Sequence, residues 1–282
     1  MTVRLAGVGK RYGRGGRWIL RDVALALPPG GIVRVEGANG TGKSTLLKVL
    51  AGVERADRGT VEVAGRRAYV PERFPPALPF TARDYLRQLA RVRGLSAGQG
   101  RRRADHWLER FGIAGYADTP IGRLSKGTCQ KVAVAQALLA EADLLLLDEA
   151  WTGLDRAARG ELDAAVAERA AAGGLVVFVD HDPGRLAGLT TAGHLVKDGT
   201  LHGIPVAAAG PDGPRTAIVV RAERLPEHLP GNPGRTPLAD GAVRLEVAAA
   251  HSDTLLRRLL GSVPPVHVHS VAPAEHAEGG RP

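Results

Sequence analysis

The stretch Gly37-Ala38-Asn39-Gly40-Thr41-Gly42-Lys43-Ser44 constrains this chain more than any other. It follows a β-branched run, Ile32–Glu36. It precedes Leu46, Leu47, Val49 and Leu50 at helical spacing, so the order is strand, loop, helix. The pattern is GxxxxGK[ST]. A glycine-rich turn lets backbone N–H groups approach phosphate oxygens closely, and the helix behind it adds its positive N-terminal end. Lys43 supplies a fixed charge for β- and γ-phosphates, and the Ser44 hydroxyl suits Mg²⁺. With 37 glycines in 282 residues and few lysines, a chance match is a roughly 1% event under independent positions.

Around this loop the chain reads as alternating elements. Val3–Leu5 and the alternating Val23, Leu25 and Leu27 are early strands, closed by the turn Pro28-Pro29-Gly30-Gly31. Gly59 to Val70 reads as two strands around a Gly65 turn. Thr81 to about Arg93 is an amphipathic helix with Thr81 as N-cap. Gly94–Gly100 reads as a break, Arg101–Phe111 as a charged helix, and Leu124–Ala140 as a polar turn leading into an apolar helix. Leu144–Leu147 is a four-residue apolar run of the kind buried in parallel sheets. A helix about Arg156–Ala172 and a strand Leu175–Val179 follow. Strands alternating with helices predict an α/β fold with a mostly parallel sheet. Beyond about Gly203, Pro and Gly punctuate short segments. Ala217–Arg221, Val243–Val247 and Val266–Val268 read as strands, and Ser252–Leu260 as a helix capped by Ser252. They predict a small α+β appendage over 204–272, with a frayed tail over 273–282.

Composition narrows the partners. Lys+Arg number 38 against 29 Asp+Glu, a net charge of +9, which favours anionic partners: nucleotide, nucleic acid or an acidic membrane surface. The lone Cys129 excludes an internal disulfide and a multi-cysteine metal site. The first residues contain no apolar stretch of signal-peptide type, and no run approaches the ~18 apolar residues of a membrane-crossing helix. The chain is expected to be soluble or peripheral. His267 and His269 share one face of a strand, but no third ligand accompanies them, so an exposed polar face is the simpler reading. Arg101–Arg103 reads as a solvated helix face.

The second chemical element is Leu144-Leu145-Leu146-Leu147-Asp148-Glu149. A buried strand delivers two carboxylates at its end: Asp148 to hold Mg²⁺, Glu149 to orient or deprotonate an attacking water. Leu124-Ser125-Lys126-Gly127-Thr128 with Gln130-Lys131, one helix upstream, resembles the signature of ATP-binding cassette (ABC) ATPases. Trp151-Thr152-Gly153-Leu154-Asp155 looks like that family's D-loop. His181, just after Leu175–Val179, lies at its switch-histidine position, and Tyr12 where the family stacks an aromatic on adenine. The resemblance covers about residues 2–203.

The resemblance implies a P-loop NTPase of ABC type, with antiparallel N-terminal strands and a helical subdomain over about 73–124. ATP and Mg²⁺ would be the cofactors. Tyr12, Gly37, Asn39, Gly40, Thr41, Gly42, Lys43, Ser44 and Thr45 would bind ATP. Ser44, Asp148 and Glu72 would serve the metal, and Glu149, His181 and Lys43 the hydrolysis. Ser125, Gly127 and Thr128 would meet the γ-phosphate of a second copy across an ATP-sandwich homodimer, with Asp155 in the dimer D-loop. Four positions in three motifs depart from the family: Lys126 and Thr128 in the signature, Ala150 where proline is usual, and Glu72 where the Q-loop carries glutamine. A carboxylate at 72 can still accept hydrogen bonds but adds negative charge and donates none.

The function expected is the ATP-hydrolysing subunit of an ABC transporter, of export type, at the cytoplasmic face of the membrane. Multi-spanning permease subunits would contact about Arg73–Tyr85, where Phe74, Pro75, Pro76, Leu78 and Phe80 form either a partner groove or local packing. The alternative is a soluble ABC ATPase acting on nucleic acid or the ribosome. Such proteins usually carry two cassettes or a long coiled-coil insertion, so no nucleic-acid partner is expected. An inert nucleotide-binding scaffold conflicts with the presence of both Glu149 and His181.

Overall fold

The computed structural model describes residues 2–13, 15–74, 78–205, 215–222, 225–226, 229, 233–238, 241–262 and 266–274. They fall into two compact units: Met1–Arg185 with Thr190–Pro205, and Leu186–Leu189 with Val206–Pro282. Pro75, Pro76 and the tail from 275 onward lie outside the described residues.

In the first unit, partial alternation of buried and exposed residues builds an antiparallel sheet. Strands β1 (Val3–Arg11), β2 (Trp18–Leu27) and β4 (Arg58–Val63) pair in the order β2-β1-β4. Val3, Leu5, Val8, Val23, Leu25 and Leu27 point into the core while the residues between them face out. β1 runs on to Arg11, beyond the short strand the sequence suggests, because a register shift after Leu5 accommodates Gly7 and Gly9.

The second sheet carries the chemistry. Its order is β5-β6-β7-β3-β8-β9, built from β3 (Ile32–Glu36), β5 (Arg67–Val70), β6 (Leu144–Asp148), β7 (Leu175–Val179), β8 (Ala192–Lys197) and β9 (Thr200–Ile204). All neighbours are parallel except β8 with β9. Every residue of β6 and β7 is buried, as expected of central parallel strands covered on both faces. Helix α1 (Lys43–Ala51) contributes Leu46, Leu47, Val49 and Leu50 to the core shared with both sheets. The two strands read around Gly65 pair in different sheets: β4 joins the antiparallel one and β5 the parallel one.

Helices α2 (Ala82–Val92), α3 (Ala97–Arg110), α4 (Lys126–Leu139) and α5 (Arg156–Ala171) complete this unit. Thr81 caps α2 by accepting the Asp84 N–H, as its sequence position predicts. The break expected over Gly94–Gly100 is shorter than that. Ser96 and Gln99 form a capping box that starts α3 at Ala97. Gly100 lies inside the helix, where a Cβ would come within 2.9 Å of the Ala90 Cβ, so its lack of a side chain lets α2 and α3 approach.

In the second unit, β10 (Arg215–Arg221), β11 (Gly234–Pro237), β12 (Val243–Ala248) and β13 (His267–Pro273) form an antiparallel sheet in the order β11-β12-β10-β13. Helix α6 (Ala249–Leu260) supplies Leu255 and Leu259 to a core with Ile218, Val220, Leu245 and Val247. α6 starts three residues before the expected cap, which puts Ser252 inside it. β8, β9 and β11 had no counterpart in the sequence reading.

Candidate active site

Because β3, β7 and β6 are adjacent and parallel, the loops after them leave one edge of the sheet side by side. That edge is where open α/β sheets bind ligands. The loop after β3 holds residues 37–42, β6 ends in Asp148 with Glu149 directly after it, and His181 follows β7.

The glycine loop folds as its chemistry requires. Gly37 has φ 147°, and a Cβ there would sit 2.5 Å from the Val196 carbonyl oxygen. Gly42 occupies the N-cap of α1 with φ 109°, a conformation closed to ordinary side chains. Lys43 Nζ donates to the carbonyl oxygens of Gly37 (2.8 Å) and Ala38 (3.0 Å), bending the side chain back over the loop. The Thr41 hydroxyl donates to Ala38 O at 2.9 Å, while Ala38, Asn39 and Gly40 stay exposed at the rim. Thr45 is buried in the first turn of α1.

Asp148 is buried and fully engaged. Its Oδ1 accepts from Ser44 Oγ at 3.0 Å and its Oδ2 from the Tyr69 hydroxyl at 2.9 Å. Burial pushes its pKa above the usual carboxylate value. The two hydrogen bonds oppose that shift, and the nearby charges of Glu149 and Glu72 add to it. The Tyr69 phenol is likewise held well above its ordinary pKa, first by burial and then by the carboxylate it serves. Tyr69 is a site residue without a role in the sequence reading. The available signal was a tyrosine in a short, apolar strand, whose hydroxyl needs a buried partner. Gln136 of α4 donates to the Tyr69 carbonyl at 3.1 Å and so ties that helix to the same strand.

Glu149 has φ 51°, in the left-handed region. The turn leaves its amide donating to Val179 O and brings its Oε1 to 2.8 Å from His181 Nε2. The carboxylate is largely covered, whereas the imidazole is more than half exposed. Glu72 is exposed, with Arg73 Nε 3.7 Å from its Oε1. Tyr12 follows β1 as an exposed ring with Lys10 Nζ 5.3 Å from its centroid.

A second group gathers at the starts of α4 and α5. Ser125 caps α4, accepting the Thr128 N–H at 3.1 Å, and its hydroxyl lies 2.8 Å from that of Thr128. Gly127 presses on the next loop: a Cβ there would be 2.9 Å from Gly153 O. Asp155 caps α5 and pairs with Lys131 at 2.6 Å, which lowers its pKa below the usual value. Gln130 donates to the Ala150 carbonyl at 3.3 Å. Among the described residues, no hydrogen bond or ion pair joins this group to the glycine loop of the same chain. Cys129 is buried, its thiol directed at Ile121 O and Leu124 O, and burial raises its pKa.

Comparison with known proteins decides the family. A zinc import ATP-binding protein of Cereibacter sphaeroides is 38% identical over 174 residues, which span 60% of this chain and 69% of that one. The chain belongs to the ABC family. The family profile described as "ABC transporter" matches residues 20–152 of this ABC ATPase. A macrolide export ATP-binding/permease protein of Paracoccus denitrificans is 32% identical over 74% of the chain, but the match spans only 35% of that longer relative. Among solved structures, an ATP-binding subunit of an ABC transporter superposes with a TM-score of 0.65 at 25% identity, over 72% of this chain and 90% of that one. The protein is thus an ATP hydrolase that works with Mg²⁺. The donor set fits that ion: the Ser44 hydroxyl and Asp148 carboxylate offer hard oxygens 3.0 Å apart. Among the described residues, no helix is long and apolar enough to cross a membrane.

Proposed function

We propose that this ABC ATPase powers transport through separate membrane-spanning subunits, as a homodimer that closes around two ATP molecules. The observation that carries this reading is the division of the site into two groups. The glycine loop, Asp148 and the Glu149–His181 pair hold one half. The capped start of α4, with free N–H groups behind Ser125, is an anion-binding end that lacks a phosphate partner within its own chain. A second copy placed head to tail supplies that partner, with Ser125, Gly127 and Thr128 facing the opposite γ-phosphate and Asp155 at the contact.

Within one half, Tyr12 stacks on adenine. Gly37, Asn39, Gly40, Thr41, Gly42, Lys43 and Thr45 surround the phosphates. Ser44 and Asp148 hold Mg²⁺, which neutralises phosphate charge when bound, and Glu72 adds an acceptor beside it. Glu149 takes the proton of the attacking water. His181, beside Glu149, hydrogen-bonds the γ-phosphate and holds the water geometry.

The helical subdomain over about 73–124 is our choice for the permease contact, near Arg73–Tyr85. Phe74 packs edge-on against Tyr85, with centroids 5.5 Å apart, so it serves α2, whereas Phe80 remains exposed. For direction we propose export, supported by the macrolide export relative and by the α+β unit beyond residue 204, which resembles extensions of export-type cassettes. His267 and His269 contact each other edge-on and are exposed, without a third ligand among the described residues.

The test is affinity purification from native membranes in mild detergent, followed by ATP-driven transport in vesicles with whatever co-elutes. A multi-spanning protein at near-equal stoichiometry and outward movement of its cargo are expected. Recovery only with RNA or ribosomal proteins would overturn the transporter reading, and inward movement would overturn export.

A further inference from the structure

We infer that Arg34 is a positioning residue for hydrolysis: it clamps the loop that presents His181 to Glu149. Arg34 lies in β3, one of four consecutive buried residues in a five-residue strand, and is only 8% exposed. Burying a guanidinium is costly unless its donors are satisfied, and an apolar residue would fill a central strand without that cost. The donors of both Nη groups are committed to one place. Nη2 reaches the carbonyl oxygens of Asp182 (2.9 Å) and Asp180 (3.4 Å), those on either side of His181. Nη1 reaches Pro183 O at 3.1 Å and Arg185 O at 3.3 Å. Nε lies 2.7 Å from Glu36 Oε1 as an ion pair without hydrogen-bond geometry, and the cation lies over the Phe178 ring, 5.6 Å from its centroid.

The loop needs such a clamp. Residues 181–184 are exposed, and none of them belongs to a strand or helix. Its carbonyls have no ladder to join; local turns bond the Asp182, Gly184 and Arg185 amides, and of the carbonyls only Asp182 O gains a partner from them, yet the Glu149–His181 contact of 2.8 Å requires a fixed backbone. A planar fork with five donors can hold four carbonyls at once, and a lysine ammonium at the end of a flexible stem cannot. Arg185 extends the same arrangement. Its Nη1 pairs with Asp163 at 3.0 Å, and Asp163 also accepts the Trp151 indole N–H at 2.8 Å. The loops after β6 and β7 therefore share one polar frame, with Arg34 beneath the second.

The inference rests on the role proposed above for His181, so the test separates the two. Steady-state ATPase and ATP affinity are measured for Arg34→Lys, His181→Ala and the double variant. We expect Arg34→Lys to lower kcat about tenfold with ATP affinity unchanged within twofold, and to cost nothing further on the His181→Ala background. A wild-type kcat for Arg34→Lys beside a crippled His181→Ala overturns the Arg34 inference alone. So does a tenfold loss that persists when His181 is absent. A wild-type kcat for His181→Ala removes the reading of His181 itself. A loss confined to ATP affinity or melting temperature would mark Arg34 as merely structural and also overturns the inference. Should Arg34→Lys not fold, Arg34→Gln, which keeps one amide donor group, enters the same cycle with the same criteria.

Discussion

At the scale of single residues, the site is a set of side chains each held by a neighbour. Glu149 is fixed by His181 and by the turn behind it, and Asp148 by Ser44 and Tyr69. Glu149→Gln keeps the shape and removes the proposed base. Its kcat should fall at least about 100-fold while ATP affinity, read by calorimetry, stays within about threefold. Near-normal turnover would take the proton-accepting role away from Glu149. The residues with local sequence patterns were legible: Lys43 and Ser44 in the glycine loop, Asp148 and Glu149 at the end of an apolar run. Tyr69 and Arg34 were not, because their partners stand far along the chain: Tyr69 meets Asp148 across 79 positions, and Arg34 meets the loop carbonyls across 146 to 151. Cys129 shows the reverse limit. Its place in the sequence does not reveal that its thiol is buried against the carbonyls of Ile121 and Leu124.

At the scale of elements, caps and small residues decide boundaries. Ser96 and Gln99 satisfy orphan N–H groups at the start of α3 reciprocally. Ser96→Ala should therefore lower stability by about 1 kcal/mol. In chemical denaturation the midpoint should fall with an unchanged m-value, and the kcat of the folded protein should hold. A drop in kcat at temperatures where the variant is fully folded would tie this helix to the chemistry. Glycines at 94, 98 and 100 hide α3 from a reading by punctuation, because Gly100 serves packing against Ala90 rather than a turn. Strands β6 and β7 were legible as unbroken apolar runs. β8, with Gly193 and His194 in six residues, was not, because its identity comes from pairing with β3.

At the scale of the whole molecule, two separate cores divide the labour. All three tryptophans, Trp18, Trp107 and Trp151, lie in the ATPase unit, so indole fluorescence reports on that unit's unfolding. In the Glu149→Gln background, where ATP persists, Mg-ATP at about 100 times its Kd should stabilise this unit by about 2.7 kcal/mol. For a unit of this size that is a rise of roughly 5–10 °C in Tm. An unchanged fluorescence transition would mean that nucleotide does not bind the folded ATPase unit. The α/β class and parallel core follow from alternation visible along the chain. The second unit was legible only as strands and a helix, since Pro and Gly mark its turns without saying which strands pair.

The backbone at Glu149 carries a further consequence. A side chain held at φ 51° costs on the order of 1 kcal/mol, which glycine would not. Glu149→Gly relieves that strain, which offsets glycine's added chain entropy and the lost His181 contact, so the variant is expected to melt near the parent protein while losing turnover. Heat selection applied to a library of this gene, with no demand for activity, would not hold the glutamate at this position. Chemistry rather than thermal robustness keeps a glutamate at this dihedral angle.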